Sequence, residues 1–450
     1  MKKKTMDLTR GPVLKQLILF VWPIFVGSLL QTLYNTADRI VVGQFAGSNA
    51  LAAVGSVGYP VNVLLGLLGG FSTSANVIVS NFLGGRKENE ARKAAHTAIM
   101  VALIGGVVVM LLGVLFSEAI LEFMNTPKKT IHLSALYMRI IFCGVPVSML
   151  YNFGAAVMRS YGDAKRPMMI VSISGIVNVV LNLVFVLVFH MSVAGVALAT
   201  IAAQAVTAVW VMWLLMDPKG EFRLTWKEMK LYPGITRNMV RTGIPMGFSS
   251  SMLHIGGLAV QSSINSFGPA VMAGSAASDS VTSVTAVLIG AVFSGCVSFA
   301  GQNYGAGNYK RLDQLFVSTT LLGGGLAAVL ALICTVFSTQ LLSLINPDPA
   351  TIAAGFPKSV FVGWGYVFHI ISQAGLGICR GMKKAAIPTY ISVFSLCIVR
   401  LIWVWVFFPL HPTVTMLYVC FPLSFLCNMI GHTTYYLICR KKLLKKKIPV

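Results

Sequence analysis

The residues best suited to chemistry stand where apolar side chains would be expected. Gln31, Tyr34, Asn35 and Asp38 fall at i, i+3, i+4 and i+7 within the stretch QTLYNTADRIVVG, residues 31–43. That spacing puts them on one face of a helix. The surrounding run is apolar, so this face needs a bundle interior or a wet cavity. A carboxylate there either takes up a proton, because desolvation disfavours its charge, or is held charged by a cation. Of thirteen acidic residues, only Asp38 and Asp279 fall deep inside apolar segments.

Other polar groups recur at helical spacing. Ser174, Asn178 and Asn182 share one face, as do Thr200, Gln204 and Thr207. Together with Asp38 they offer one carboxylate and several neutral oxygens, a donor set that suits Na⁺, since hard cations take oxygen ligands. The plainer reading is interhelical hydrogen bonding, a common use of Asn, Gln and Thr in membranes. The second half of the chain offers His254, then Asp279, then His369 and Gln373 at i and i+4, then Arg400. His254 or His369 is suited to carry a proton near neutral pH, or to pack as a hydrogen-bonded ring. Arg400 can pair with a carboxylate, with a carbonyl, or snorkel.

The elements that must position these groups are membrane helices. Of 450 residues, 56% are hydrophobic and 11% charged, with a mean hydropathy of +0.79. Apolar runs of about 20 residues recur along the whole length. The pattern predicts an all-α polytopic membrane protein with twelve spans, at 14–43, 51–82, 94–117, 131–158, 167–190, 193–216, 239–264, 270–302, 314–337, 352–379, 387–409 and 413–438. Pro23, Pro60, Pro146 and Pro245 mark sites of bending, because proline removes an i→i−4 bond. The start MKKK followed by an apolar run reads as a retained first helix rather than a leader, since the run is long and contains Trp22-Pro23.

Charge orients the spans. With both ends inside, inner segments hold 29 of the 35 lysines and arginines, and the outer loops hold Lys128, Lys129 and Lys358. Arg39, Arg139 and Arg400 lie within spans. This alternation accounts for the net charge of +22 without any nucleic-acid partner. The eight cysteines stand singly, which excludes a disulfide or zinc framework. No H-E-x-x-H or comparable motif points to an intramembrane enzyme, and no pore-loop filter points to a channel. No cofactor is expected beyond a coupling ion. Twenty-one methionines and 46 aromatics suit an adaptable apolar cavity.

The chain repeats itself. At an offset of 221–222, Pro23 meets Pro245, Gly84 meets Gly305, Arg159 meets Arg380 and Pro167 meets Pro388. The expected organisation is a lobe at 1–216, a cytoplasmic linker at 217–238, a second lobe at 239–438 and a basic tail at 439–450. Each half has an even number of spans, so both have the same orientation, related by an axis along the membrane normal. Val260 stands opposite Asp38 in the repeat.

NTADRIVVG in the first span, GGRKENEARKA after the second, RSYGDAKRPM before the fifth and RGMKKAAIP before the eleventh together resemble the multidrug and toxic compound extrusion (MATE) family, over nearly the whole chain. The major facilitator class also has twelve spans in parallel halves, but its Leu-Ala-Asp-Arg signature is absent before GGRK. The resemblance implies antiport: Na⁺ or H⁺ entry driving export of organic cations and other amphiphiles, at the cell membrane, by a functional monomer. It also implies a coupling-ion site in the first lobe, as in the family's DinF-like branch, at Asp38, Asn178, Asn182 and Thr200. Gln31, Tyr34, Asn35, Tyr137, Asn152 and Gln204 would be its neighbours, with helix 1 bending near Pro23. That branch often has Asp where this chain has Asn182. The NorM-like branch places carboxylates on helices 7 and 10, and here those helices have none. A lipid-linked oligosaccharide flippase of the same superfamily is the alternative.

Overall fold

The computed structural model describes residues 5–41, 45, 48–124 and 130–445, without the side chains of residues 39, 40, 48–53, 55, 56, 59, 62, 253, 259, 444 and 445. Val42, Gly43, Lys128, Lys129 and the last basic residues Lys446 and Lys447 lie outside the described residues. Among the described residues the chain is helical, with no strand.

The first six long helices are α1 (Val13–Val41), α2 (Ser48–Gly84), α3 (Glu88–Phe123), α4 (Ile131–Ser160), α5 (Lys165–Leu183) and α6 (Val193–Met216). The next four are α7 (Pro233–Asn265), α8 (Pro269–Gly305), α9 (Tyr309–Val336) and α10 (Pro349–Gly381). The last two spans are α11 (Ala386–Leu410) and α12 (Val414–Leu443). Eleven described helices are long and apolar enough to cross a membrane, and α7, with Arg237 and Arg241 near its start, is the twelfth long helix. The expected spans therefore appear in order, from α6, which matches 193–216, to α3, which runs Glu88–Phe123 where 94–117 was expected.

The chain forms two compact units. The first holds Val26–Leu83 and Lys87–Gly243; the second holds Asp7–Phe25, Gly84–Arg86 and the chain from Ile244 onward. The expected linker 217–238 ends inside α7, which begins at Pro233, and a cut before that residue would keep α1 and α7 whole. The units instead divide α1 after Phe25 and α7 after Gly243, beside Pro23 and Pro245. Proline frees a carbonyl of its helix, so these are the points where the ladder is weakest.

In the first unit α4 packs against α3 and α6 around Ile99, Met138, Phe142, Phe153 and Val211. The linker is docked here too: Phe222 and Leu224 are buried, and Thr225 N–H donates to His96 Nε2 at 3.0 Å. In the second unit α10 packs against α8, α9 and α12. Backbones of α8 and α10 approach so closely that a Cβ on Gly355 would stand 2.6 Å from Gly274 O. Ser372 on α10 bonds Asn428 Oδ1 and His432 Nδ1 of α12, at 3.0 and 2.9 Å. The arm before α1 is latched by Arg311, whose guanidinium donates to Gly11 O at 2.7 Å.

Two spans depart from α geometry. The chain after α5 continues as a π-helical turn, Val184–Val188. Within α11, π turns at Phe394–Ile398 and Trp403–Phe407 flank one α turn, Val399–Ile402, that carries Arg400. Such bulges rotate the side chains that follow them and are frequent at functional sites.

Candidate coupling-ion site

Tyr34 and Asp38 come from the part of α1 that belongs to the first unit. The Tyr34 ring lies over Gly175 of α5, where a side chain would collide with it. Gln31 is within hydrogen-bonding reach of the Tyr34 hydroxyl. One turn further along α1, Asp38 Oδ1 accepts a hydrogen bond from Asn182 Nδ2. Asn182 Nδ2 also lies 3.4 Å from Asn178 Oδ1. Both asparagines are 1% exposed. Ser174, on the same face, donates to Ala203 O of α6 at 2.7 Å and fixes the α5–α6 contact.

Asn182 sits directly before the π turn of Val184–Val188. Two amide atoms of this cluster have no hydrogen-bond partner among the described residues: Asn178 Nδ2 and Asn182 Oδ1. Leaving a buried polar atom unpaired costs about 1–3 kcal/mol. The arrangement thus keeps a buried acceptor open next to a carboxylate.

The remaining predicted neighbours divide. Thr200 donates to Val196 O of its own helix at 2.9 Å, and Asn152 to Ser148 O at 2.8 Å. Gln204 faces Gly144 of α4, and Tyr137 packs with Val41, Val186 and Val196. Gln31 and Asn35 are exposed. Asp38, Asn178 and Asn182 are therefore the three that the fold brings together by side-chain hydrogen bonds.

The second-half residues also divide. His254 is exposed. His369 Nε2 meets Gln373 Nε2 at 3.1 Å. Arg139 pairs with Glu118 at 3.2 Å, both about half exposed. One expectation is corrected. Lys358, assigned above to an outer loop, lies inside α10, is 3% exposed and pairs with Asp279 at 2.6 Å. The close α8–α10 approach at Gly274 and Gly355 puts the residues that follow, Ser275 and Lys358, face to face. Lys358 already falls within the span expected at 352–379, which was the signal for its burial.

A family model, MatE, matches the chain twice, over residues 23–184 and 245–406. The chain belongs to the MatE family. This is a family of membrane transporters, not of enzymes, and the protein is accordingly a multi-pass membrane protein that moves small molecules. The two MatE repeats are offset by 222 residues at both ends, beginning at Pro23 and Pro245. At that offset Val260 stands for Asp38, while at the 221-residue offset of Pro167 and Pro388 the places of Asn178 and Asn182 are taken by Val399 and Trp403, beside Arg400.

Among relatives, the probable multidrug resistance protein YpnP of Bacillus subtilis (strain 168) is 28% identical over 404 residues, covering 88% of this chain and 89% of that protein. The multidrug export protein MepA of Staphylococcus aureus (strain MRSA252) is 22% identical over 386 residues, covering 84% and 85%. Among solved structures, a MOP superfamily transporter from Pyrococcus furiosus, described as having a binding pocket of reverse polarity, has a TM-score of 0.92 at 20% identity and covers 99% of this chain and 100% of that one. A MATE structure in complex with MaL6 has a TM-score of 0.92 at 19% identity, with the same coverage. A MATE structure in a bent conformation has a TM-score of 0.90 at 20% identity, covering 98% and 99%. This likeness shows the all-helical MATE fold.

Proposed function

We propose that this MatE-family transporter is an antiporter of the cell membrane, with both termini inside, that exports organic cations or related amphiphiles in exchange for Na⁺ or H⁺. Relatives bearing the names multidrug resistance and multidrug export support the substrate class. The observation that carries the coupling site is the hydrogen bond from buried Asn182 to the partly buried Asp38, with Asn182 Oδ1 left unpartnered among the described residues.

An amide presents a donor at one end and an acceptor at the other. Asn182 Nδ2 satisfies the charged, ion-free carboxylate. A half-turn of the amide brings Oδ1 towards Asp38 instead. There it serves as a second oxygen ligand to a bound cation, or accepts from the protonated carboxyl. One residue thus supports both states of the site, and the ion biases which one is populated. Asn182 forms this switch without the second carboxylate that the resemblance would suggest. The divided helix α1, bending beside Pro23, links the site's state to the rest of the chain.

The test is release of a bound fluorescent organic cation from purified protein on adding Na⁺ at fixed pH, or on acidification without Na⁺. Release by one of the two in the wild type, and by neither in Asp38→Asn, is expected. Equal release in that variant contradicts the assignment.

A further inference from the structure

Among the described residues the second unit buries three cations, Lys358, Arg380 and Arg400, and Lys358 and Arg400 share one cluster with a single carboxylate. Lys358 is 3% exposed and Arg400 is 2% exposed. Lys358 Nζ pairs with Asp279 and donates to Ser275 Oγ at 2.7 Å. Arg400 donates Nε–H to Ser424 Oγ at 3.0 Å, and its Nη2 has no partner among the described residues. The guanidinium lies against two rings of α12, 4.9 Å from the centroid of Phe421 and 5.2 Å from that of Phe425. Lys358 Nζ is 5.8 Å from that same Phe421 ring. His369 stacks on Phe425 at 4.5 Å, and its Nδ1 is also unpartnered among the described residues.

Four helices build this cluster. Asp279 and Ser275 come from α8, Lys358 and His369 from α10, Arg400 from α11, and Phe421, Ser424 and Phe425 from α12. Positions 421, 424 and 425 share a face of α12. Arg400 is held on the one α turn between two π turns, which fixes its direction.

The charges do not close. Each buried ion loses several kcal/mol of hydration, and a cation–π contact returns about 0.5–2 kcal/mol. Asp279 answers for Lys358. Arg400 has a hydroxyl and two ring faces, and no carboxylate among the described residues. Asp279, moreover, is 59% exposed, so it is the member of the pair that can leave. A purely structural ion pair accounts for Lys358 and Asp279 but leaves the open edge of Arg400 without a role.

We propose that the Lys358–Arg400 recess of the second unit is a binding site for the carboxylate of an anionic or zwitterionic amphiphile, with Asp279 holding the place on Lys358 until the ligand arrives. The planar guanidinium suits a carboxylate, and its open Nη2 edge supplies the first contact. Lys358 Nζ, released by Asp279, supplies the second. Phe421 and Phe425 give the ligand's hydrocarbon an apolar wall. The inference goes beyond the cation-exchange reading and does not depend on Asp38.

The experiment measures binding of a dansyl-labelled long-chain fatty acid, and of its methyl ester, to the full-length protein in neutral-lipid nanodiscs. The acid is expected to bind, and the ester about tenfold more weakly. Asp279→Asn, at an exposed position, should tighten the acid several-fold by removing its competitor. Lys358→Met should weaken it about tenfold, with Asp279→Asn deciding the matter should that variant fail to fold. Asp38→Asn should bind the acid as the wild type does, which separates failure of this site from failure of the coupling site. Equal binding of acid and ester overturns the proposal. So does unchanged or weaker acid binding in Asp279→Asn. Displacement of the probe by phosphatidylglycerol but not by decanoate also overturns it, by assigning the recess to lipid phosphate.

Discussion

The first MatE repeat sets a carboxylate among amides, and the second sets a buried guanidinium against aromatic rings. Asp38 of the first corresponds to Val260 of the second, which packs with Val404, Leu417 and Tyr418 in an apolar cluster. Asn178 of the first and Arg400 of the second lie on the fifth span of their respective repeats. A carboxylate with two amides in one unit becomes an apolar contact and a buried guanidinium in the other. Both polar residues, Asn178 and Arg400, sit within two turns of a π bulge, so the scaffold feature is shared while the polar group differs, a neutral amide in one and a guanidinium in the other. A duplicated fold thus supplies two geometrically related sites, and the residue types decide which sign of charge each receives.

That contrast can be broken in order of effect. Gly355→Val drives a side chain into the backbone of Gly274, and a loss of about 4 kcal/mol or more is expected. It should appear as a collapse in the yield of monodisperse detergent-solubilised protein. Normal yield would show that the α8–α10 approach does not position Lys358. Asn178→Arg imports the charge of the second unit into the first. It should abolish cation-triggered dye release by placing a guanidinium beside Asp38, and retained release would mean the amide cluster is not the ion site. Asn182→Asp moves the first unit the other way. A second carboxylate should lower the cation concentration for half-maximal release about tenfold, an effect of about 1.4 kcal/mol. Ser174→Ala removes one buried hydrogen bond, about 1 kcal/mol. A slightly lower melting temperature with an unchanged cation response is expected.

Much of this was legible beforehand. The helices follow from apolar run length, and the repeat from Pro23, Pro245, Arg159 and Arg380, because these residues mark bends and inner loops that duplication preserves. Asp38 and its asparagine partners were visible because helical spacing reports a shared face. The burial of Lys358 was signalled only by its place inside the expected span 352–379, against its reading as an outer-loop lysine. Its partner lies on another helix, brought near by two glycines whose contact no periodicity encodes. His432, bonded to Ser372 in the core of the second unit, was missed for the same reason. The π turns that orient Arg400 leave no mark on hydropathy at all. Thr200 donates its hydroxyl hydrogen within its own helix, which leaves its oxygen lone pairs as acceptors and is a contact that spacing alone does not distinguish from a bond to a neighbouring helix.

The central claim is that Asp38 couples an ion gradient to export. It is tested most directly by efflux of an organic cation from proteoliposomes under an imposed Na⁺ gradient and, separately, a pH gradient. One of the two gradients should drive efflux by the wild-type protein, and neither should drive it by Asp38→Asn reconstituted to the same level. Driven efflux by the variant at the wild-type rate would contradict the account.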